Sequence, residues 1–386
     1  MPALAASPLD TPAFVYDESQ ILKTAKLLAQ AREASGCKML YSIKALPFVP
    51  VLELLSPWVD GFAVSSLFEA RLAATRTDSL HITTPGLRRS EIAEIGGLCR
   101  FVAFNSLQQF QRLQPLLGEQ ASAGLRVNPR RSFLDDRRYD PCRESSKLGT
   151  PLDELAQALA EDGSLASQIK GLHFHTVFSS RSFAPLRETV EHIRRSLGGA
   201  LLSRLDWINL GGGYLFESLE DLGVLIEIAQ DLQRRFGVAV YFEPGKAMVG
   251  RAGYLAASVI DRFRRDGKTV LVLDSTVNHH PEIFEYQIRP APAWLEPAQG
   301  ERAILAGCTC LAGDVFGEYR FDTLPEVGDR LVFADVGAYS LVKANRFNGH
   351  NLPSVYAWDG AAGIRLMQKP CFEEYFAQWT ADASPV

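Results

Sequence analysis

The chain has 386 residues, 47% of them hydrophobic, with a net charge of −5. That is too long for one ordinary core, too apolar for global disorder, and suited to two domains. Acids and bases are interspersed without a basic block, which argues against a nucleic-acid partner, and six scattered cysteines suit a reducing compartment better than a disulfide scaffold.

No apolar run approaches the roughly 18 residues of a membrane helix. The opening "MPALAASPLDTPAF" lacks the basic start and unbroken apolar core of a signal peptide. A cytoplasmic protein without a membrane partner is expected.

"TPAFVYD" reads as a short strand ahead of the first helix. Eight β-rich runs then alternate with helical patterns. The runs are "CKMLYSI" (37–43), "VDGFAVSS" (59–66), "LHITTPG" (80–86), "RFVAFNS" (100–106), "AGLRVNP" (123–129), "IKGLHFHTVF" (169–178), "LDWINLGGG" (205–213) and "VAVYFEPG" (238–245). Between them lie amphipathic stretches such as "SLFEARLAATR" and "SLEDLGVLIEIAQDLQRRFG", whose Leu219, Leu222, Leu225, Ile226, Ala229, Leu232 and Phe236 recur at helical spacing. Ser218 and Asp221 form a potential capping box there. Strand–helix alternation implies parallel strands with helical crossovers. Eight units in about 210 residues predict a (β/α)8 barrel of the TIM type, with an open doubly wound sheet as the rival. The polar stretch 130–148 follows the fifth strand and is expected over the catalytic face.

Beyond about residue 250, strand-like runs are separated by Gly, Pro and Asp turns, with no long helical pattern between them. The expected domains are 18–250, the barrel, and 251–386 together with 1–17, a β-sandwich or barrel-like domain.

Barrel active sites take their residues from the C-terminal ends of strands. Those ends carry Lys44, Arg126, His173 and His175, Gly211 to Gly213, and Glu243 to Lys246. "GGGY" follows the seventh strand and "EPGK" the eighth, where barrels often bind phosphate, and consecutive glycines let backbone N–H groups converge on an anion. A tight turn is the plainer meaning of the glycines. His173 and His175 share one strand face. A metal site would need further ligands at other strand ends, which the barrel strands lack, so no metal is expected. Glu243 ends an apolar strand and must meet a cation or strong donor. A plain buried pair with Lys44 satisfies that need. So does pyridoxal phosphate, which requires a lysine for its Schiff base, an anion cradle and a partner for its ring nitrogen.

At this point the sequence resembles the fold-type III pyridoxal-phosphate decarboxylases, the group of the ornithine and diaminopimelate enzymes, and within it the carboxynorspermidine (carboxyspermidine) decarboxylases. The likeness runs over nearly the whole chain, through "YSIKAL", "GLHFH", "WINLGGG", "YFEPG", "CTCLAGDVFGEY" and "GAYSLVKANRFNG" in order. It implies an alanine-racemase-like barrel with a C-terminal β domain. It further implies Lys44 as the cofactor lysine, His175 on one face of the ring, and Gly211, Gly212, Gly213 and Tyr339 at the phosphate. Glu243 falls at the pyridine nitrogen, Arg126 at the phenolic oxygen, Cys310 as the acid that returns a proton to Cα, and Asp314 at the substrate amine. A homodimer with shared active sites and a small carboxylated amine as substrate are implied as well.

Three departures bear on the substrate. "HFHTVFSS" has Phe178 and Ser179 where the carboxynorspermidine pattern has a Cys–Glu pair. "EPGK" places Lys246 where that pattern has an acid. Leu311 follows Cys310, where diaminopimelate decarboxylases have an acid. A base at the mouth favours a less cationic or more acidic substrate, such as another amino acid or a siderophore-type intermediate. Arg289, in "HHPEIFEYQIRP", is a candidate for a substrate carboxylate. The readings from other classes are a metal-dependent barrel hydrolase using His173 and His175, a non-catalytic pyridoxal-phosphate carrier, and a racemase of the same fold.

Overall fold

The computed structural model describes residues 7–360 and 363–381. The chain divides into two compact units, Leu22–Met248 and a second made of Met1–Ile21 with Val249–Val386. A short strand, β1 (Ala13–Asp17), belongs to the second.

The first unit is a closed parallel barrel. Its strands are β2 (Lys38–Ser42), β3 (Gly61–Val64), β4 (Leu80–Thr83), β5 (Phe101–Phe104) and β6 (Ser122–Asn128). A two-residue strand, β7 (Thr150–Pro151), lies beside β6, and β8 (Gly171–His173), β9 (Trp207–Asn209) and β10 (Ala239–Phe242) complete the ring. Pairing runs β2 to β6, then β8, β9 and β10, and β10 returns to β2. All eight predicted runs form strands, and the closure excludes the open sheet. Each core is short because the chain turns into a loop or helix as soon as its ladder bonds are spent.

Local chemistry sets the helix starts. Ser66 accepts from the Glu69 N–H ahead of the helix Leu67–Ala74, and Ser106 accepts from the Gln109 N–H ahead of Leu107–Leu113. Asp221 accepts from Glu217 N and Ser218 N at 2.7 and 3.0 Å, but this pair shapes a turn, and the helix begins later, at Gly223. That helix buries Leu225, Ile228, Ala229 and Leu232 and stops at Gly237, whose φ of 72° suits a left-handed cap.

Successive strand residues face opposite sides, so the barrel interior fills in layers. The lower layer is aromatic: Trp207 and Tyr241 pack with Leu40, Ala63 and Ala103, and Phe101 lies against them. His81 stacks on Phe101 at 4.1 Å. Gly124 and Gly171 make this possible, because a Cβ on either would sit 2.4 or 2.0 Å from the Trp207 ring. Two residues further along each strand the interior turns polar. Arg126, His173 and Asn209 are direct ladder neighbours on β6, β8 and β9.

The second unit is a mixed sheet. Its strands are β1, β11 (Gly253–Arg265), β12 (Lys268–Leu273), β13 (Ala291–Pro292), β14 (Glu301–Ala306), β15 (Val315–Phe321), β16 (Arg330–Ala334), β17 (Ser354–Trp358) and β18 (Ile364–Gln368). The order is β15-β14-β12-β11-β1-β17-β18, with β16 joining β11 to β13. β1 runs parallel to β17 and antiparallel to β11. Val15, Tyr254, Ala256, Val332 and Tyr356 form one core cluster. A helix, Phe372–Trp379, follows β18 where the sequence showed no helical pattern.

Candidate active site

A cavity of about 300 Å³ opens at the C-terminal ends of the barrel strands. Lys44 reaches it from the short 3-10 turn Ile43–Ala45 that ends β2. Arg126 comes from β6, His173 ends β8, His175 follows two residues later, and Glu243 follows β10. The excursion after β6 contributes Tyr139, Pro141 and Leu148, so it does border this cavity.

Charge is concentrated here. Glu243 is 6% exposed. Its Oε1 accepts from Asn209 Nδ2 at 2.7 Å, and its Oε2 lies 3.6 Å from His173 Nε2. Burial alone would push its carboxyl up; His173, Lys44 and His81 together overcome that and hold it well below the usual carboxylate range. Burial lowers the Lys44 ammonium, and Arg126 lowers it further against the pull of Glu243 and Glu69. Burial also lowers Arg126, to about 10. Neither Lys44 nor Arg126 has a hydrogen-bond partner among the described residues. Burial, with the charges of Lys44 and Arg126, holds His175 well below its ordinary value, so the ring is neutral. Its Nδ1 accepts from Gly212 N at 3.1 Å.

The glycine turn is close-packed. A Cβ on Gly211 would fall 2.2 Å from the Phe174 carbonyl oxygen, and one on Gly212 would fall 2.0 Å from that of Glu243. Gly211 and Gly213 also have φ of 66° and 90°. The turn therefore lies between the two strand ends that carry His175 and Glu243.

The second unit carries the other expected residues. Cys310 is exposed, and its N–H donates to Asn348 Oδ1 at 2.9 Å. Tyr339 is half-buried with φ of 63°, and burial pushes its phenol up to about 12. Asp314, expected to face a substrate amine, is 3% exposed. Its carboxylate accepts from Val277 N, Thr309 N and the Thr309 hydroxyl. It holds two loops together and presents nothing to solvent. Arg289, expected to bind a substrate carboxylate, already has one: Glu296 takes both its terminal nitrogens, at 3.0 and 2.5 Å, and its guanidinium lies 4.3 Å from the Tyr319 ring centroid.

Residues 13–337 match the family model described as pyridoxal-dependent decarboxylase, C-terminal sheet domain. The chain belongs to the pyridoxal-dependent decarboxylases. It is 33% identical to the carboxynorspermidine/carboxyspermidine decarboxylase of Herminiimonas arsenicoxydans, over 95% of this chain and 98% of that protein. It is 32% identical to the carboxyaminopropylagmatine decarboxylase of a Synechocystis species, over 96% and 95%. Among solved structures, carboxynorspermidine decarboxylase from Campylobacter jejuni complexed with norspermidine superposes with a TM-score of 0.85 at 28% identity, over 96% of this chain and all of that one.

The cofactor of such a decarboxylase is pyridoxal phosphate, and the residues present fit it. A cavity with two cations lacking hydrogen-bond partners, a carboxylate held ionised and a neutral imidazole matches an anionic aldehyde-bearing pyridine. His173 and His175 point to different partners, Glu243 and Gly212, and no cluster of three His, Cys, Asp or Glu side chains suited to a metal occurs among the described residues. No helix among those residues is long and apolar enough to cross a membrane.

Two residues of this decarboxylase, the buried Asn209 and the half-buried Glu69, escaped the sequence reading. Asn209 bridges Glu243 and Gly211, with Gly211 N donating to its Oδ1 at 2.9 Å. Glu69 accepts from Ser65 N at 2.7 Å and interacts electrostatically with Lys44. Strand alternation from Trp207 would have aimed Asn209 inward, and the Ser-x-x-Glu signature marks Glu69.

Proposed function

We propose that this enzyme removes carbon dioxide from the α-amino acid end of a small carboxylated amine of the carboxynorspermidine or carboxyspermidine type. The carrying observation is the meeting, at one barrel mouth, of unpartnered Lys44 and Arg126 with ionised Glu243 and neutral His175. The relatives' activities support the substrate type.

Bound pyridoxal phosphate supplies the sink for the electron pair left when carbon dioxide departs. Lys44 holds the cofactor, and burial leaves its amine more readily unprotonated and nucleophilic. Glu243 holds a proton at the ring nitrogen, which requires the carboxyl to remain anionic. Arg126 would take the phenolic oxygen, His175 would cover one ring face, and the end of the glycine turn at Gly213, with Tyr339, would take the phosphate, since the N–H groups of Gly211 and Gly212 are donated to Asn209 Oδ1 and His175 Nδ1. Cys310 returns a proton to Cα. The enzyme acts as a homodimer in which a second copy completes each site, in the cytoplasm and without nucleic-acid or membrane partners. Asp314 and Arg289 take no part, because their polar groups are engaged within the chain.

One observation favours a second reading, a substrate with a less cationic tail. Glu243 is the one carboxylate among the described residues lining the cavity, and Lys246 Nζ lies 5.4 Å from the ring centroid of Phe178, which lines it too. A protonated tail finds no second anion on this wall. Incubating purified enzyme with carboxynorspermidine, carboxyspermidine, diaminopimelate, ornithine and α-amino acids bearing neutral or carboxylate tails, and measuring carbon dioxide, tests both. Release from the two carboxylated polyamines is expected. Release confined to neutral or acidic tails replaces the first reading by the second, and no release from any of them sinks both.

A further inference from the structure

We infer that Asn209 is a positioning residue that ties the orientation of the Glu243 carboxylate to the glycine turn. The inference rests on the reading of Glu243 and that turn given above. Asn209 is 1% exposed and is the last residue of β9. Its side chain makes two bonds of opposite polarity. Oδ1 accepts the N–H of Gly211 at 2.9 Å, and Nδ2 donates to Glu243 Oε1 at 2.7 Å. The amide orientation is decided by its partners: an N–H on one side needs an oxygen, and a carboxylate on the other needs a donor.

A buried carboxylate has two oxygens and a torsion that burial alone leaves loosely defined. Here one oxygen is held by Asn209 and the other lies 3.6 Å from His173. Behind Asn209, His81 Nδ1 lies 3.4 Å from the same Nδ2. His81 is in turn wedged against Phe101 and Tyr241, with ring centroids at 4.1 and 4.3 Å. The amide is thereby fixed from below by the aromatic layer and hands that rigidity to two groups at once. Leucine or alanine at this position would leave the Gly211 N–H and one Glu243 oxygen without partners in a buried place, which is costly.

The two halves of the clamp are separable. Asn209→Asp keeps an acceptor for Gly211 N–H and removes the donor to Glu243; Asn209→Ala removes both. Each variant of the full chain, with wild type and Glu243→Gln alongside, is checked for folding by circular dichroism. Equilibrium dialysis then gives its dissociation constant for pyridoxal phosphate, and steady-state assays give kcat, KM and the kcat–pH profile. For Asn209→Asp we expect cofactor affinity within about threefold of wild type and a kcat at least about thirtyfold lower. Its kcat–pH profile should gain an ionisation that wild type lacks, since two adjoining carboxyls share a proton. Asn209→Ala should lose a similar factor in kcat and, in addition, about tenfold in cofactor affinity, the worth of one hydrogen bond at the turn.

Wild-type kcat and pH profile in Asn209→Asp would overturn the inference. So would equal loss of cofactor affinity in both variants, which is what a merely structural amide produces. Normal turnover in Glu243→Gln would instead overturn the reading of Glu243 beneath it. If the alanine variant does not fold, the aspartate variant alone still decides the matter through its kcat and pH profile.

Discussion

Replacing His81 by phenylalanine isolates the acid sensitivity built into the barrel floor. His81 is 2% exposed, and burial, aided by the charges of His173 and Arg100 against Glu243, holds its imidazole down at about 3. In an unfolded chain the same ring titrates near ~6.5. Below that pH the unfolded state binds a proton that the folded state refuses, so the folded state loses stability as pH falls from about 7 towards 3. For a folded value of about 3, the loss between pH 7.5 and pH 5 is about 2 kcal/mol, at ~1.4 kcal/mol per unit. Phenylalanine preserves the stacking on Phe101 and Tyr241 and removes the titration. Urea unfolding of wild type and His81→Phe at pH 7.5, 6 and 5, followed by circular dichroism, measures the difference. The wild-type midpoint should fall by roughly 0.5–1 M more than the variant's across that range. Parallel pH dependence in the two proteins would mean that His81 is not held neutral, and the description of the floor would fail.

Lys44→Ala should leave a folded protein that carries no visible chromophore after reconstitution; a retained cofactor absorbance would remove Lys44 from its role. Cys310→Ala should slow turnover about a hundredfold at unchanged cofactor affinity, within the range of a lost general acid, and a normal rate would exclude it. Gly212→Ala would drive a Cβ to 2.0 Å from the Glu243 carbonyl oxygen, a backbone atom that cannot swing aside. Overpacking of about 1–3 kcal/mol should weaken pyridoxal-phosphate binding roughly ten- to a hundredfold, measured by dialysis. Lys246→Glu should raise kcat/KM for carboxynorspermidine relative to a carboxylate-tailed α-amino acid, and an unchanged ratio would show that Lys246 does not sense the tail.

The barrel was legible because a parallel strand buried on both faces is an apolar run with abrupt ends. Lys44, Arg126, His175 and Glu243 stood out as polar residues at those ends, where burial must be compensated. Asn209 did not, because an asparagine before "LGGG" looks like part of the turn, and its partners lie on strands distant in sequence. Asp314 is the opposite case. It falls in a segment resembling one that faces substrate, yet three donors from its own loops consume it. Arg289 has its carboxylate only seven residues away, at Glu296, but the turn that joins them has no periodic signature. The helix Phe372–Trp379 is too short to show periodicity.

The hydrogen bond from Gly212 N–H to His175 Nδ1 settles where that imidazole can keep its single hydrogen: on Nε2. With protonation suppressed as well, the ring is a flat, uncharged plate of one tautomer throughout the neutral range. Its contribution is then shape and polarisable surface rather than acidity. A phenyl group would preserve much of what it offers, whereas a fixed positive charge in its place would not.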